Sequence, residues 1–260
     1  MSEVAETRHG RVLELEMRNP ALRNALTPEI SAALVRALRQ AADDDGVGAV
    51  VLCGAGGHFC AGGNLKSLAG LRSGGSRAAL LERIGAVNEL ARALRACPRP
   101  VIAAVEGHAA GAGFSIALGC DLIVAAEDAR FTMAYVRIGV NPDAGGTWHL
   151  ARALPPQLAA EAALTARPLE AALLARLGIV NRVVAPGRAR EEALAWAEEI
   201  ATGATGAIGR TKRLLEEARA QQLSAHLERE RESFVEAFFG PEGAEGIAAF
   251  LEKRSARFRG

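Results

Sequence analysis

Apolar and polar positions partly alternate from Val12 to Met17, the two-residue period of a strand with one buried face. A polar turn, RNPALRN, follows. Thr27 then stands as an N-cap with Pro28 at the first helical position, and Ile30, Ala33, Leu34, Ala37, Leu38 and Ala41 recur on one helical face. Gly46 closes this segment. Two short apolar runs, GAVVLCG and PVIAAVEG, are bounded by glycine or proline, and DLIVAA after Asp121 is a third. Runs of this kind predict buried strands of a largely parallel sheet. Between the first two, a helix is expected from about Ser76 to Ala96, stopped by Pro98 and Pro100. Strands interleaved with helices give an α/β fold class.

From Gly145 onward the pattern turns helical, apart from a strand-like GIVNRVVA beginning at Gly178. The division falls near Arg190, giving an α/β core over residues 1–190 and a C-terminal helical region over residues 191–260. Within the latter, helix-favouring sequence from Thr211 to Phe239 ends at Gly240 and Pro241, and a final helix runs from Ala244 to Lys253. Leu214, Leu215, Leu223, Leu227, Phe234, Phe238 and Phe239 need more cover than a peripheral helix gives, which points to docking on a neighbouring subunit.

Charge narrows the partners. Lysine and arginine total 31 against 30 acidic residues, so no overall field draws the chain onto nucleic acid or an anionic membrane, and an anionic ligand must be met by local charge. The longest uncharged stretch, Gly107 to Cys120, is too short to span a bilayer and is broken by glycine. The start, MSEVAETRHGR, has acidic residues and no apolar core, unlike a secretory signal or transit peptide, so the expected setting is cytoplasmic. Cys53, Cys60, Cys97 and Cys120 never fall at C-x-x-C spacing and are expected to be reduced and structural.

Two glycine-rich loops follow two of the strands: Gly54 to Lys66, and Gly107 to Asp121. Each returns into helix-compatible sequence, whose start offers unpaired N–H donors. Two such loops can aim two N–H groups at one oxygen, an oxyanion hole, although each taken alone also reads as a tight strand-to-helix turn. Neither completes G-x-G-x-x-G, since Phe59 and Ile116 take the last glycine places, and no G-x-x-x-x-G-K-[ST] exists. Gly113-Phe114-Ser115-Ile116-Ala117 comes within one residue of the G-x-S-x-G nucleophile elbow, but several residues separate Ser115 from the strand. None of the five histidines forms an H-x-x-x-H or H-E-x-x-H pair, so no metal is expected. Asp143 precedes Ala-Gly-Gly-Thr-Trp and on spacing alone reads as a helix N-cap.

FCAGGNLK, AAVEGHAAGAGFSIALGCDLIVAA, FTMAYVRIGVNPDAGGTWHLARAL and AFLEKRSARF, in this order over nearly the whole chain, resemble the crotonase (enoyl-CoA hydratase/isomerase) superfamily, nearest to its 1,2-epoxyphenylacetyl-CoA isomerase branch. The resemblance implies a spiral of ββα repeats with a C-terminal helical region that packs the chain into a homotrimer or homohexamer. It implies an acyl-CoA thioester substrate, with coenzyme A carried by the substrate and no separate cofactor. The oxyanion donors would be the N–H groups of Gly63 and Ala112, and Asp143 would act as acid and base rather than as a cap. Arg23, Ala25, Ala61, Asn64, Leu65, Ser115 and Tyr135 would meet substrate, and Phe250 with Lys253 would complete a coenzyme A site, reaching a neighbouring subunit's ligand. Two departures stand out. Asn64 replaces the family's usual aspartate, and Ser115 and Tyr135 replace the two glutamates that activate water in hydratases. An isomerase is therefore expected ahead of a hydratase. Other crotonase-type reactions, a non-catalytic acyl-CoA binder and a serine hydrolase built on Ser115 are the remaining alternatives.

Overall fold

The computed structural model describes residues 3–258. The chain begins with β1 (Glu3–His9), β2 (Val12–Arg18), α1 (Pro28–Asp43), β3 (Ala49–Gly54), α2 (Leu65–Ser73) and α3 (Arg77–Ala96). It continues with β4 (Val101–Val105), β5 (His108–Ala110), α4 (Ala112–Gly119), β6 (Leu122–Ala126) and β7 (Arg130–Thr132). After a 3-10 turn at Ala134–Ile138 come α5 (Gly146–Ala153), α6 (Pro156–Thr165), β8 (Leu169–Glu170), α7 (Ala171–Arg176) and β9 (Arg182–Val184). Four helices close the chain: α8 (Ala189–Ala201), α9 (Thr205–Ala218), α10 (Leu223–Phe239) and α11 (Pro241–Leu251).

Six strands form the main sheet in the order β1-β2-β3-β4-β6-β9, parallel except for the antiparallel edge pair of β1 and β2. β5, β7 and β8 make a second, small sheet. After β4 and again after β6 the chain therefore visits the small sheet before it turns helical. The expected strands and helices are present, with Thr27 Oγ1 accepting from Ile30 N–H at 3.3 Å as the cap of α1 and Ser76 capping α3. β1, β5, β7 and β8 were not expected, because β1 is a polar edge strand and the others are two or three residues long. The helix-favouring stretch after Thr211 is divided between α9 and α10.

Alternation along the strands sets two cores. Val50, Leu52, Ala103, Val105, Ile123 and Ala125 face α1, α3 and α4. Val12, Ala49, Val51, Ile102, Ala104 and Val124 face Ala189, Ala193, Ala197 and Ala201 at every fourth position of α8. Small side chains let this helix lie close on the sheet. The approach is closest at Gly48, where a Cβ would come within 2.7 Å of the Ala201 Cβ. The 190/191 division thus runs through a helix that seals the sheet, and the residues that leave the sheet follow Ala201. Residues 1, 2, 259 and 260 of the two sequence ranges lie outside the described residues.

Glu14 points to the α8 face and is fully buried. Its carboxylate accepts two hydrogen bonds from Arg190, one from Nε and one from Nη2 at 2.9 Å, and pairs with His9 Nε2 at 2.9 Å. Burial opposes the ionised form, but Arg190 and His9 outweigh it and hold the carboxyl below the usual carboxylate range. A lowered folded value means that this stability is present above the unfolded pKa and is lost as pH falls through the folded one. Arg190→Ala is expected to cost about 2 kcal/mol at neutral pH, less than the ~3–5 kcal/mol for breaking a fully buried pair because Arg190 is half exposed. In urea denaturation the deficit should narrow toward acid pH, as Glu14 takes up its proton. An equal deficit at every pH would place the effect elsewhere.

Candidate active site

The loops after β3 and β4 pair with each other as strands do. Cys60 N–H donates to the His108 carbonyl at 3.0 Å, and Ala110 N–H donates to the Cys60 carbonyl at 2.9 Å. Glycine permits this contact. Gly62 has φ +91°, and a Cβ there would sit 2.7 Å from Ala110 O and 3.3 Å from Ala112 N. Gly111, at φ +52°, turns the second loop into α4. These contacts set Gly63 and Ala112 on adjoining backbone. Ala112 opens α4, so its N–H has no helical carbonyl to bond, and the Gly63 N–H donates no backbone hydrogen bond among the described residues. The N–H groups of Gly63 and Ala112 are thus without a backbone partner among the described residues, on adjoining segments.

Arg23, Ala25, Ala61 and Asn64 gather at the same edge. Ala61 N–H donates to the Arg23 carbonyl at 2.9 Å, and Leu26 N–H donates to the Gly62 carbonyl at 2.7 Å. Asn64 caps α2, its Oδ1 accepting from Ser67 N–H at 3.2 Å, a role the family's aspartate could also fill. Leu65, the first residue of α2, is exposed.

Asp143 does not cap α5. The N-cap there is Gly145 in the left-handed conformation, with no side-chain bond, and only the Asp143 backbone carbonyl accepts from Gly146 N–H, at 2.8 Å. The carboxylate instead accepts from the Tyr135 hydroxyl, at 2.5 Å to Oδ1. Burial, then the charge of Asp143, push the tyrosine hydroxyl above its ordinary range, so it stays protonated and donates. Ser115 Oγ lies 3.4 Å from the same hydroxyl and 3.3 Å from the Gly111 carbonyl oxygen; with Tyr135 donating to Asp143, the single serine proton serves one of these two acceptors. A polar chain thus runs from the start of α4 to Asp143. The Tyr135 ring packs on Gly111, where a Cβ would stand 3.9 Å from its Cε2 and Cζ. Ser115 itself is fully buried, and its hydroxyl contacts are Gly111, Met133 and Tyr135, none of them a histidine base. The nucleophile-elbow geometry is absent.

Phe250 and Lys253 are not drawn to this cluster. Phe250 is 82% exposed at the end of α11, and Lys253 is exposed just beyond it. That helix packs on α10, and its Glu242 accepts from the N–H groups of Gly206 and Ala207 at 2.9 Å each. Two cavities of about 890 and 760 Å³ also lie away from the polar chain, between α3, α5 and α9. They share Arg95, His149 and Lys212, whose cations are paired with Glu216 and, at 2.6 Å, Asp121, while burial and then the nearby arginines lower His149 to about 4 and keep it neutral. These are grooves between the core and the C-terminal helices. Among the described residues no three His, Cys, Asp or Glu side chains gather as metal ligands would.

Comparison with known sequences bears directly on this geometry. The sequence profile described as "Enoyl-CoA hydratase/isomerase" matches residues 7–260. The chain belongs to the enoyl-CoA hydratase/isomerase family. It is 34% identical to the 2,3-dehydroadipyl-CoA hydratase of Escherichia coli K12 over the full length of both. It is 35% identical to the 1,2-epoxyphenylacetyl-CoA isomerase of the same organism, over 96% of this chain and 95% of the other. A crystal structure of an enoyl-CoA hydratase from Polaromonas sp. JS666 superposes with a TM-score of 0.96 at 43% identity, covering 99% of this chain and 100% of that one. The α/β core with its C-terminal helices is thus the crotonase fold.

One residue that shapes the site was passed over by its motifs. Asn24, fully buried at φ +56°, donates to the carbonyls of Ala55 and His58 at 2.7 Å each, and its Oδ1 accepts from Asn19 N–H at 2.9 Å. It fixes the root of the first glycine loop. Asparagine is the side chain that tolerates the left-handed region and bonds to nearby backbone, so the signal lay in RNAL.

Proposed function

We propose that the protein is an enoyl-CoA isomerase in which Asp143 moves a proton between two carbons of an acyl-CoA thioester while the N–H groups of Gly63 and Ala112 hold the enolate oxygen. The observation that carries this is the Tyr135 to Asp143 hydrogen bond, which makes Asp143 the one carboxylate of the polar chain. A hydratase of the family's usual kind needs two carboxylates on one water, whereas a protonated tyrosine and a buried serine stand in those places. One base beside two oxyanion donors suffices to shift a double bond. Arg23, Ala25, Ala61, Asn64 and Leu65 then flank the thioester and its pantetheine arm. The coenzyme A arrives with the substrate, no further cofactor is involved, and the setting is the cytoplasm.

Incubation with 3-enoyl-CoA and 2-enoyl-CoA thioesters, followed by mass and absorbance, tests the reading. Isomerisation moves the double bond with no change of mass, while hydration adds one water. The full-length similarity to 2,3-dehydroadipyl-CoA hydratase favours hydration as the second reading, and this assay separates the two.

Assembly belongs to the same proposal: a homotrimer, or two trimers paired as a hexamer. Phe234, Phe238 and Phe239 of α10 are 68%, 47% and 82% exposed, an apolar face that a neighbouring subunit would cover. If Lys253 reaches a neighbour's phosphates, Lys253→Glu should weaken coenzyme A binding about tenfold, the value of one charge-assisted contact, with the fold intact. Calorimetry and sedimentation on one sample check it. Unchanged affinity, or a fully active monomer, would remove the shared site.

A further inference from the structure

A carboxylate that is free to turn can take a proton on either oxygen and hand it on to water. Asp143 is not free to turn. Its main chain is pinned by the hydrogen bond from Gly146, and the turn into α5 passes through two consecutive left-handed residues, Ala144 at φ +52° and Gly145 at φ +76°. Ala144 is fully buried, and an alanine held in that region is backbone strain of the kind that aims a neighbouring side chain. Tyr135 fixes the carboxylate itself. Its hydroxyl donates to Oδ1, its ring rests on Gly111, and Ser115 Oγ lies 3.4 Å behind the hydroxyl. Oδ2 accepts no hydrogen bond among the described residues.

We infer that Tyr135 is a positioning residue that reserves Oδ2 of Asp143 as the proton carrier, so that the proton leaves C2 and returns to C4 of a 3-enoyl thioester on one face of the acyl chain. This rests on the isomerase reading above. In the first half, the C2–H bond breaks, the proton joins Oδ2, and the electron pair spreads into a dienolate whose oxygen lies at the Gly63 and Ala112 donors. In the second, the proton leaves Oδ2 to form a C4–H bond, the thioester carbonyl is restored and a C2=C3 bond remains. No other reactant is consumed. With one oxygen carrying the proton and the other occupied, the carboxylic acid has no easy rotation by which to exchange with water before it returns the proton.

The test uses 3-enoyl-CoA carrying deuterium at C2, in ordinary water, with label at C4 of the product followed by mass spectrometry and NMR. The wild-type enzyme is expected to move label to C4 on one face. Tyr135→Phe, which keeps the ring, should keep its fold and KM, lose about tenfold or more in kcat, and show markedly less label at C4, solvent protium taking its place. Equal retention of label in the variant, even with a lower kcat, overturns the proposal, since a merely structural role slows turnover without opening the carried proton to water. If Tyr135→Phe does not fold, Ser115→Ala, which frees the tyrosine hydroxyl from behind, is expected to reduce label transfer in the same direction, and unchanged transfer there is the overturning result. Failure of the isomerase reading is distinguishable: wild-type enzyme would then yield no C2=C3 product from the labelled substrate, and both proposals would fall.

Discussion

Asp143→Asn is expected to lower kcat for 3-enoyl-CoA isomerisation by about 10²–10⁴-fold, the range over which a positioned acid or base accelerates proton transfer. Asparagine keeps an oxygen for the Tyr135 hydroxyl but cannot take up a proton at neutral pH. The substitution should spare the fold, because the carboxylate caps no helix and the turn before α5 is held by the Asp143 backbone carbonyl. Thermal unfolding within a few degrees of wild type, together with lost turnover, is therefore the expected pair of results. Turnover surviving within a few fold would show that the carboxylate does not carry the proton.

The second large effect is expected at a residue with no chemistry of its own. A Cβ on Gly113 would lie 2.2 Å from the Cys60 carbonyl oxygen and 2.8 Å from the Cys60 Cβ, and that carbonyl already accepts from Ala110 N–H. The atoms in the way are the Cys60 carbonyl and the root of its side chain, with no flexible side-chain end to yield. Gly113→Ala must push the two glycine loops apart, at about 1–3 kcal/mol of stability, as for other overpacked sites. Separating Gly63 from Ala112 should also remove about 10²–10³-fold in kcat, the scale of losing one oxyanion donor. Urea denaturation and steady-state kinetics measure the two effects independently. A variant that folds with native stability and turnover would mean that the loops can part without harm.

What could be read in the chain follows the range of the forces involved. The strands at Ala49–Gly54 and Val101–Val105, the cap at Thr27 and the helix start near Ser76 are local patterns, and they are where the sequence places them. β5 and β7 are three-residue strands that exist because two distant segments meet, and no local period announces them. The same holds at the site. Glycine spacing was enough to suggest two N–H donors, whereas local spacing made Asp143 a cap and only the resemblance suggested chemistry. The deciding contact, from Tyr135 across the turn to Asp143, depends on buried Ala144 taking a conformation that alanine seldom adopts. The Ser115 elbow was already disfavoured by its distance from the strand, and the full burial of Ser115 adds what five residues of sequence could not state. Glu14 and Arg190, 176 positions apart, could be matched only after α8 had been laid on the sheet.

The ladder between Cys60, His108 and Ala110 has a consequence for how such a chain can diverge. Main-chain bonds hold the Gly63 and Ala112 N–H groups proposed as oxyanion donors, so their placement is indifferent to most side chains around them. By contrast, α2 and the turn through Val136, Ile138 and Val140 carry exposed apolar residues, and α2 has no buried residue of its own. Under the proposed function, substitutions there would change the apolar surface offered to an acyl group without disturbing the two N–H groups. If the proposed function holds, selection would be free to trade one thioester for another at the rim while the backbone that carries the two N–H groups is inherited intact.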